Sequence, residues 1–220
     1  MRQLVECSWV SLNKAGEELC GDSVMIRTKP DSFVAVLSDG LGSGVKASIL
    51  SIMTATMAMK YVAINRDIQR ASQIIMQSLP VCSVRGISYA TFTIVDTVLH
   101  GTTRMMEMGN PAAMVIRDRD VMDLPRKQLT EPQRAGRDLP LAEVAARPED
   151  RIVVFSDGIS QAGLGNPEWK LGWRESGCAE FVRATVRKDP GISARDLADR
   201  ILREALRKEN GRRARDDMTC

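Results

Sequence analysis

The sequence Ser38-Asp39-Gly40-Leu41-Gly42-Ser43-Gly44 joins an apolar, strand-like run at 33–37 to a helix-like segment that begins near Val45. Three glycines in five positions allow backbone conformations and close approaches that other residues resist. The stretch therefore predicts a carboxylate, that of Asp39, where a strand ends and a flexible turn begins, which is a suitable place to hold a cation. Asp-Gly is also a common dipeptide of purely structural turns, so this stretch alone does not decide between the two interpretations.

The same pattern recurs far along the chain, where the apolar run 151–155 leads into Ser156-Asp157-Gly158. Asp22 and the Asp216-Asp217 pair also lie at predicted strand ends or turns, and His100 is the only histidine. Carboxylates without imidazole or thiolate partners favour a hard cation, Mg²⁺ or Mn²⁺. Four aspartates and the Gly40 carbonyl could hold two ions about 3.5–4 Å apart, bridged by a carboxylate and a water. Such a pair is suited to in-line hydrolysis of a phosphate ester.

Length and composition bound the function. At 220 residues with 44% hydrophobic content, the chain is expected to form a single domain over 1–220. A net charge of +3 and only 4% aromatic residues argue against a sequence-independent nucleic-acid binder. The five cysteines are scattered, which suggests reduced thiols rather than a disulfide framework. Residues 1–10 lack the pattern of a signal peptide, and the apolar run 49–64 is too short to span a bilayer. These features predict a cytoplasmic protein without a membrane segment.

Periodicity predicts a mixture of strands and helices. A helix over 45–65 would bury a face formed by Val45, Ile49, Ile52 and Met53, with Met57 and Met59 also filling the core. The charged stretch 118–150 reads mainly as a solvated face with room for short strands. The remaining expected elements are strands over 4–12, 24–27, 33–37, 89–95, 104–108, 113–116 and 151–155, and helices over 67–79, 178–186 and 194–209.

Five motifs, in this order, carry a resemblance to a known family. They are LNKAGEELCGDS (12–23), SDGLGSG (38–44), GNPAAMV (109–115), FSDGIS (155–160) and RDDMT (215–219). Together they resemble the metal-dependent serine/threonine protein phosphatases of the type 2C superfamily, and more narrowly its sporulation stage II protein E branch. The opening motifs are especially similar to the small stand-alone phosphatases that reset stressosomes.

The resemblance implies an α+β fold, a four-layer α/β/β/α sandwich of two packed antiparallel sheets flanked by helix pairs. It also implies two Mn²⁺ or Mg²⁺ ions, with Asp39 bridging both, Asp22 and the Gly40 carbonyl on one ion, and Asp157 and Asp216 on the other. Asp217 is left as a turn residue or as a support for the ligands. Implied substrates are phosphoserine or phosphothreonine proteins, such as anti-sigma-factor antagonists or stressosome components.

The chain departs from the family pattern at several points. Residues 139–142, Leu-Pro-Leu-Ala, resemble a family Leu-Pro-x-Gly turn with alanine for glycine, which would shift a loop near the substrate. Neither the arginine that binds phosphate nor the histidine acid of eukaryotic relatives can be placed, and His100 is expected only to satisfy a turn. The family continues after Thr219 into a further strand, so Asp216 is expected to be poorly held.

Rival functions remain open. Asp118-Arg119-Asp120-Val121 superficially matches an aspartyl-phosphate hydrolase motif with Asp118 as nucleophile, although the arginines and Pro125 suggest a hairpin. The sequence contains no Cys-x5-Arg loop, which argues against a cysteine phosphatase. Residues 40–44 make a poor dinucleotide loop, because Val45 replaces a small residue and Asp39 would repel a pyrophosphate. The non-enzyme alternative is a catalytically weak module of the same fold that binds phosphoproteins.

Overall fold

A computed structural model of the protein describes residues 4–64, 68, 70, 74, 78, 90–129 and 139–220. Its strands are β1 (Ser11–Leu12), β2 (Asp22–Thr28), β3 (Ser32–Gly40), β4 (Ala90–Val98), β5 (Thr102–Met108), β6 (Met114–Arg117), β7 (Asp120–Val121), β8 (Arg126–Gln128), β9 (Pro140–Ala145), β10 (Arg151–Val153) and β11 (Met218–Thr219). Its labelled helices are α1 (Gly44–Ile64), α2 (Asp157–Ser160), α3 (Arg174–Lys188) and α4 (Ala194–Lys208).

The larger sheet contains six antiparallel strands in the order β2-β3-β4-β5-β9-β8. Strand β3 lies between β2 and β4 and pairs with both along its length. Its position is therefore fixed from two sides, and the residues at its end cannot shift without breaking backbone hydrogen bonds.

The second face is built from two smaller antiparallel units, β10-β6-β7 and β1-β11. Strand β11 was not anticipated from the sequence. It pairs Thr219 with Ser11, and Val10 and Cys220 then exchange two backbone hydrogen bonds of 3.0 and 3.2 Å. The segment that follows Asp216 is thus attached to β1, which holds that end of the chain more firmly than the sequence led us to expect.

Three apolar cores separate four layers. One core lies between α1 and the six-stranded sheet, and a second lies between the two faces of strands. A third packs the second face against α3 and α4. Side chains alternate between cores along each strand, as the period of two requires: Ile94 faces α1 and Val95 faces the second sheet, while Met114 and Ile116 face α3 and α4 and Val115 faces inward. The predicted α/β/β/α sandwich is confirmed.

Helix α1 reverses the burial predicted for it. The large apolar residues expected in the core are exposed, at 61, 52, 47 and 55% for Val45, Ile49, Ile52 and Met53. The buried face consists of small side chains, with Ala47, Ala55 and Ala58 fully buried. Small residues let the helix backbone approach the sheet closely, so size rather than hydrophobicity determines which face is buried. Met57 and Met59 are partly buried against the core, as predicted.

Several element boundaries also differ from the predictions. The strand expected over 4–12 is reduced to β1, and residues 139–142 belong to strand β9 and its approach rather than to a turn. The helix expected over 67–79 lies mostly outside the described residues, although 68, 70, 74 and 78 are helical. The charged stretch does contain short strands, β7 to β9. In the described part of the chain, no helix has the length and apolar character needed to cross a membrane.

Candidate metal centre

Asp22 and Asp39 are direct partners across two antiparallel strands. Asp22 begins β2, Asp39 is the penultimate residue of β3, and the two Cα positions lie opposite each other in the register. Asp39 therefore lies within the strand rather than after it, which corrects the predicted boundary. Side chains opposite each other point to the same face, and like charges in that arrangement are destabilising. A pair of facing carboxylates at a strand end thus calls for a compensating positive charge.

The Asp22 carboxylate is buried and only partly satisfied. Its Oδ2 accepts a hydrogen bond of 2.7 Å from the Ser156 hydroxyl, whose own oxygen accepts the Thr219 backbone N–H at 3.0 Å. Its Oδ1 is buried and has no hydrogen-bond partner among the described residues. Burial is the largest cause that raises the Asp22 pKa, to about 7, and the charges of Asp217 and Asp157 add to it. The unpaired oxygen is a free acceptor of the kind that a cation would use.

Asp157 reaches the same place from another part of the chain. It opens the short helix α2, and the Gln161 side-chain amide, one turn later, donates a hydrogen bond of 2.8 Å to its Oδ2. Burial raises the Asp157 pKa, and a hydrogen bond with the Asp39 carboxyl opposes that rise. The two Ser-Asp-Gly sequences therefore place their aspartates side by side, although one ends a strand and the other starts a helix.

Asp216 and Asp217 approach from the segment before β11. Asp216 Oδ1 accepts the Asp217 N–H at 3.0 Å, and Asp217 Oδ1 accepts the Lys14 N–H at 3.0 Å. Burial raises the Asp216 pKa, followed by the charge of Asp157. Asp217 is 4% exposed and its charge acts on Asp22, Asp39 and Asp216. It is thus a buried member of the carboxylate cluster, and not only a turn residue.

Two glycines allow close backbone contacts around the aspartate cluster, between β3 and α1 and between α2 and the segment before β11. A Cβ at Gly40 would lie 2.0 Å from the Ala47 carbonyl oxygen of α1, and a Cβ at Gly158 would lie 2.0 Å from the Asp217 carbonyl oxygen. Gly42 and Gly44 have φ of +105° and +66°, so the turn after β3 has the glycine-dependent conformation predicted for it.

Mutual repulsion dominates the electrostatics after burial. The Asp39 pKa is raised to about 9, first by burial and then by the charges of Asp22, Asp157, Asp216 and Asp217. As they stand, no three His, Cys, Asp or Glu side chains in the described ranges are arranged as a closed metal site. The all-oxygen donor set and the unpaired Asp22 Oδ1 fit a hard divalent cation.

Other candidate residues lie elsewhere. Asp118 is exposed at the tip of the β6–β7 hairpin, where Asp118 and Arg119 have positive φ of 51° and 66°. This two-residue turn matches the hairpin suggested by its arginines. His100 lies in the turn between β4 and β5, also at positive φ, as expected of a turn residue.

The sequence did not single out three residues that support the cluster. Ser156 links Asp22 to β11, Gln161 positions Asp157, and Asn110 of the GNPAAMV motif hydrogen-bonds Thr91, the strand partner of Asp39. Ser156 could have been found from the repeated Ser-Asp-Gly pattern. Gln161 could have been found from its spacing of four residues from Asp157 in a helix.

Comparison with known proteins supports this architecture. The family model of stage II sporulation protein E (SpoIIE) matches residues 29–220. A comparison with curated protein sequences finds no match.

Solved structures with the same fold include phosphatase domains. The phosphatase domain of SpoIIE from Bacillus subtilis superposes with a TM-score of 0.66 at 21% identity, covering 96% of this chain and 87% of that one. RsbX in complex with magnesium superposes with a TM-score of 0.65 at 16% identity, covering 96% of this chain and 90% of that one. The SiaA-PP2C domain of Pseudomonas aeruginosa superposes with a TM-score of 0.70 at 17% identity, covering 96% of this chain and 83% of that one. With the match to the family over most of its length, the chain belongs to the stage II sporulation protein E family of protein phosphatases.

Proposed function

We propose that this protein is a Mg²⁺- or Mn²⁺-dependent phosphatase that acts on phosphoserine or phosphothreonine in a signalling protein, with residues 1–220 as its single phosphatase domain. The observation that carries the proposal is the convergence of aspartates from four separate segments, at 22, 39, 157 and 216–217, on one buried cluster. Burial raises the pKa of Asp22, Asp39, Asp157 and Asp216, and none of these four is in an ion pair within the described part of the chain. This is a costly arrangement that a bound cation would relieve.

The proposed ligands of two ions are Asp22, Asp39, the Gly40 carbonyl, Asp157 and Asp216. When bound, such ions stabilise charge on a phosphoryl group and make water nucleophilic near neutral pH. The protein contributes orientation: Ser156 fixes Asp22, Gln161 fixes Asp157, and the β2–β3–β4 register fixes Asp39. No nucleophilic side chain is required, in keeping with the exposed position of Asp118 in the β6–β7 turn.

A signalling substrate is supported by the surroundings in which the fold occurs. Structures that share it include one reported for a bacterial stressosome, and the RsbU and RsbW domains of Rv1364c from Mycobacterium tuberculosis. We propose for this chain a phosphorylated anti-sigma-factor antagonist or stressosome component as the partner.

The test is hydrolysis of para-nitrophenyl phosphate with and without added Mn²⁺ or Mg²⁺. We expect turnover that requires the metal and disappears with a chelator. Asp39→Asn and Asp157→Asn should each lower kcat by at least about a hundred- to a thousandfold, because each removes charge at the reacting centre. Asp118→Asn is the matched control and should retain full activity.

Turnover that persists in chelator would contradict the proposal. Loss of activity in Asp118→Asn, with Asp39→Asn active, would favour the aspartyl-nucleophile alternative. A protein that binds a phosphorylated partner but hydrolyses neither it nor the small substrate would be a phosphoprotein-binding module.

A further inference from the structure

The carboxylate cluster presents a charge problem for a phosphate substrate. Five ionised aspartates outweigh even two divalent cations by one negative charge, and a phosphate monoester near neutral pH carries up to two more. Repulsion of this kind lowers affinity unless a further positive group lies at the site. A cation at the rim of the cluster that is not already neutralised would meet this need.

Lys14 occupies such a position. It lies in the turn after β1, and its backbone N–H donates the 3.0 Å hydrogen bond to Asp217 Oδ1. The next residue, Ala15, donates its N–H to the Ala214 carbonyl at 2.9 Å. Two consecutive residues of the turn are thus fastened to the segment that carries Asp216 and Asp217.

The other end of this turn is fastened as well. The Glu17 N–H donates to the Lys14 carbonyl at 3.0 Å, and the Glu17 carboxylate accepts a 2.7 Å hydrogen bond from the Ser43 hydroxyl in the turn after β3. Lys14 is therefore held between the two segments that deliver Asp39 and Asp216. Its backbone has little freedom to move away from the cluster.

The charge of the Lys14 side chain is not neutralised by an ion pair with any described residue. The side chain is half-buried. Its charge reaches the cluster, since it lowers the pKa of Asp216. Arg215, by contrast, donates to the Leu164 carbonyl at 2.7 Å, and Arg212 is exposed.

We propose that the Lys14 ammonium binds the phosphoryl group of the substrate. This inference rests on the proposed phosphatase function and assigns to Lys14 the cation that the sequence could not place. An ammonium offers three donors and a compact charge on a flexible stem, which suits phosphate oxygens. The Lys14 backbone N–H also donates a hydrogen bond to Asp217. One residue would therefore contact both the bound phosphoryl group and the segment that carries Asp216 and Asp217.

The experiment compares Lys14→Met and Lys14→Arg with Arg212→Met as a matched loss of one positive charge nearby. A charge-assisted hydrogen bond corresponds to roughly a ten- to hundredfold change in affinity. We expect Lys14→Met to raise KM for para-nitrophenyl phosphate, and the inhibition constant of inorganic phosphate, by about that factor. Lys14→Arg should restore most of the affinity, and Arg212→Met should resemble wild type.

A readout independent of turnover separates this role from others. Calorimetric titration of inorganic phosphate into the Mn²⁺-loaded protein should show weakened binding in Lys14→Met, while the affinity for Mn²⁺ and the melting temperature remain as in wild type. Unchanged phosphate affinity, or weakened Mn²⁺ affinity with normal phosphate binding, would overturn the assignment. If wild type lacked metal-dependent hydrolysis, the proposed function would fail, whereas the phosphate titration would still decide whether Lys14 binds this anion.

Discussion

The carboxylates of the candidate centre come from two kinds of structure. Asp22 and Asp39 lie on paired strands, the strand side, whereas Asp157, Asp216 and Asp217 lie in a helix start and a loop, the loop side. On the strand side, burial raises the pKa of Asp22 to about 7, against the Ser156 hydrogen bond, and the pKa of Asp39 to about 9. On the loop side, the pKa rise at Asp157 is opposed by hydrogen bonds with Asp39, Gln161 and the Gly158 backbone.

This difference indicates a division of labour. The strand side has a fixed geometry, because β3 is bonded to a strand on each side, and it holds two facing charges at a high desolvation cost. The loop side is joined by individual hydrogen bonds, such as those of Gln161 and Lys14, and not by a paired strand on each side. We expect an added methyl group at a close backbone contact on the strand side to affect folding as a whole, and the same change on the loop side to weaken metal binding as well.

The largest stability effect is expected for Gly40→Ala on the strand side. Its Cβ would overlap the Ala47 carbonyl oxygen, and neither β3 nor the close-packed α1 can retreat easily. Overpacking against backbone should cost about 3 kcal/mol or more, which urea denaturation would measure. Gly191→Ala is the control, because its added Cβ meets nothing within 4 Å, and it should change stability by less than about 0.5 kcal/mol. Equal stabilities for both variants would show that β3 is not fixed.

Gly158→Ala makes the corresponding change on the loop side. The added Cβ would overlap the Asp217 carbonyl oxygen, but here the neighbour is the segment before the two-residue strand β11 and not the backbone of a long helix. We expect a smaller loss, about 1–3 kcal/mol, together with at least about a tenfold weaker Mn²⁺ affinity as Asp217 and Asp216 are displaced. Global unfolding comparable to Gly40→Ala, or unchanged Mn²⁺ affinity, would remove the distinction between the two sides.

The strand side also predicts a pH dependence of the metal-free protein. The folded-state pKa values of Asp22 and Asp39 lie above the usual value of 3.8, so the folded state binds protons that the unfolded state releases. Relative to the unfolded state, the folded state is most stable below about pH 4, where both carboxyl groups are protonated. The free energy of unfolding then falls as the pH rises, until the pH passes the folded-state pKa values of about 7 and about 9. In chelator, the melting temperature should therefore fall by several degrees between about pH 6 and about pH 9.

Two comparisons test this cause. Added Mg²⁺ should raise the melting temperature more at high pH than at low pH, because the ion replaces the protons. Asp39→Asn removes the group with the highest pKa and should flatten the dependence in chelator. A slope that Asp39→Asn leaves unchanged would assign the pH effect to groups outside the cluster.

The contrast between the two sides also explains what could be predicted from sequence. Asp39 and Asp157 were found because each follows an apolar strand and precedes glycine, a local pattern. The short turn between the strands expected over 24–27 and 33–37 is the sequence feature that favours their pairing, which sets Asp22 opposite Asp39. The burial of Asp217 could not be predicted from the local sequence, because Asp216 and Asp217 are chemically identical neighbours and the hydrogen bond from the Lys14 N–H to Asp217 comes from a segment far away in the chain.

The layers were implied by the family resemblance and by alternating strands, but the packing of α1 was not. Periodicity locates an apolar stripe, and on α1 that stripe is the exposed one because the sheet, at Gly40, comes within contact of the helix backbone. Ala47 lies at this close contact and is fully buried. The hydrophobic pattern alone does not give the distance between helix and sheet, and it therefore predicted the wrong buried face for α1.

The smallest predicted effect concerns Ser156, which joins the two sides. Ser156→Ala would leave the Asp22 Oδ2 and the Thr219 N–H without their partner, and a buried unpaired group costs about 1–3 kcal/mol. We expect about 1–2 kcal/mol in urea denaturation, because the carboxyl can keep its proton, and a further rise in the Asp22 pKa since the lost hydrogen bond opposes that rise. Ser160→Ala, which removes only a 3.0 Å bond to the Asp157 carbonyl at the end of α2, is the control and should change stability by less than about 0.5 kcal/mol. If Ser156→Ala matched this control in both stability and Mn²⁺ affinity, the two sides would be independent and Asp22 would be positioned by its strand alone.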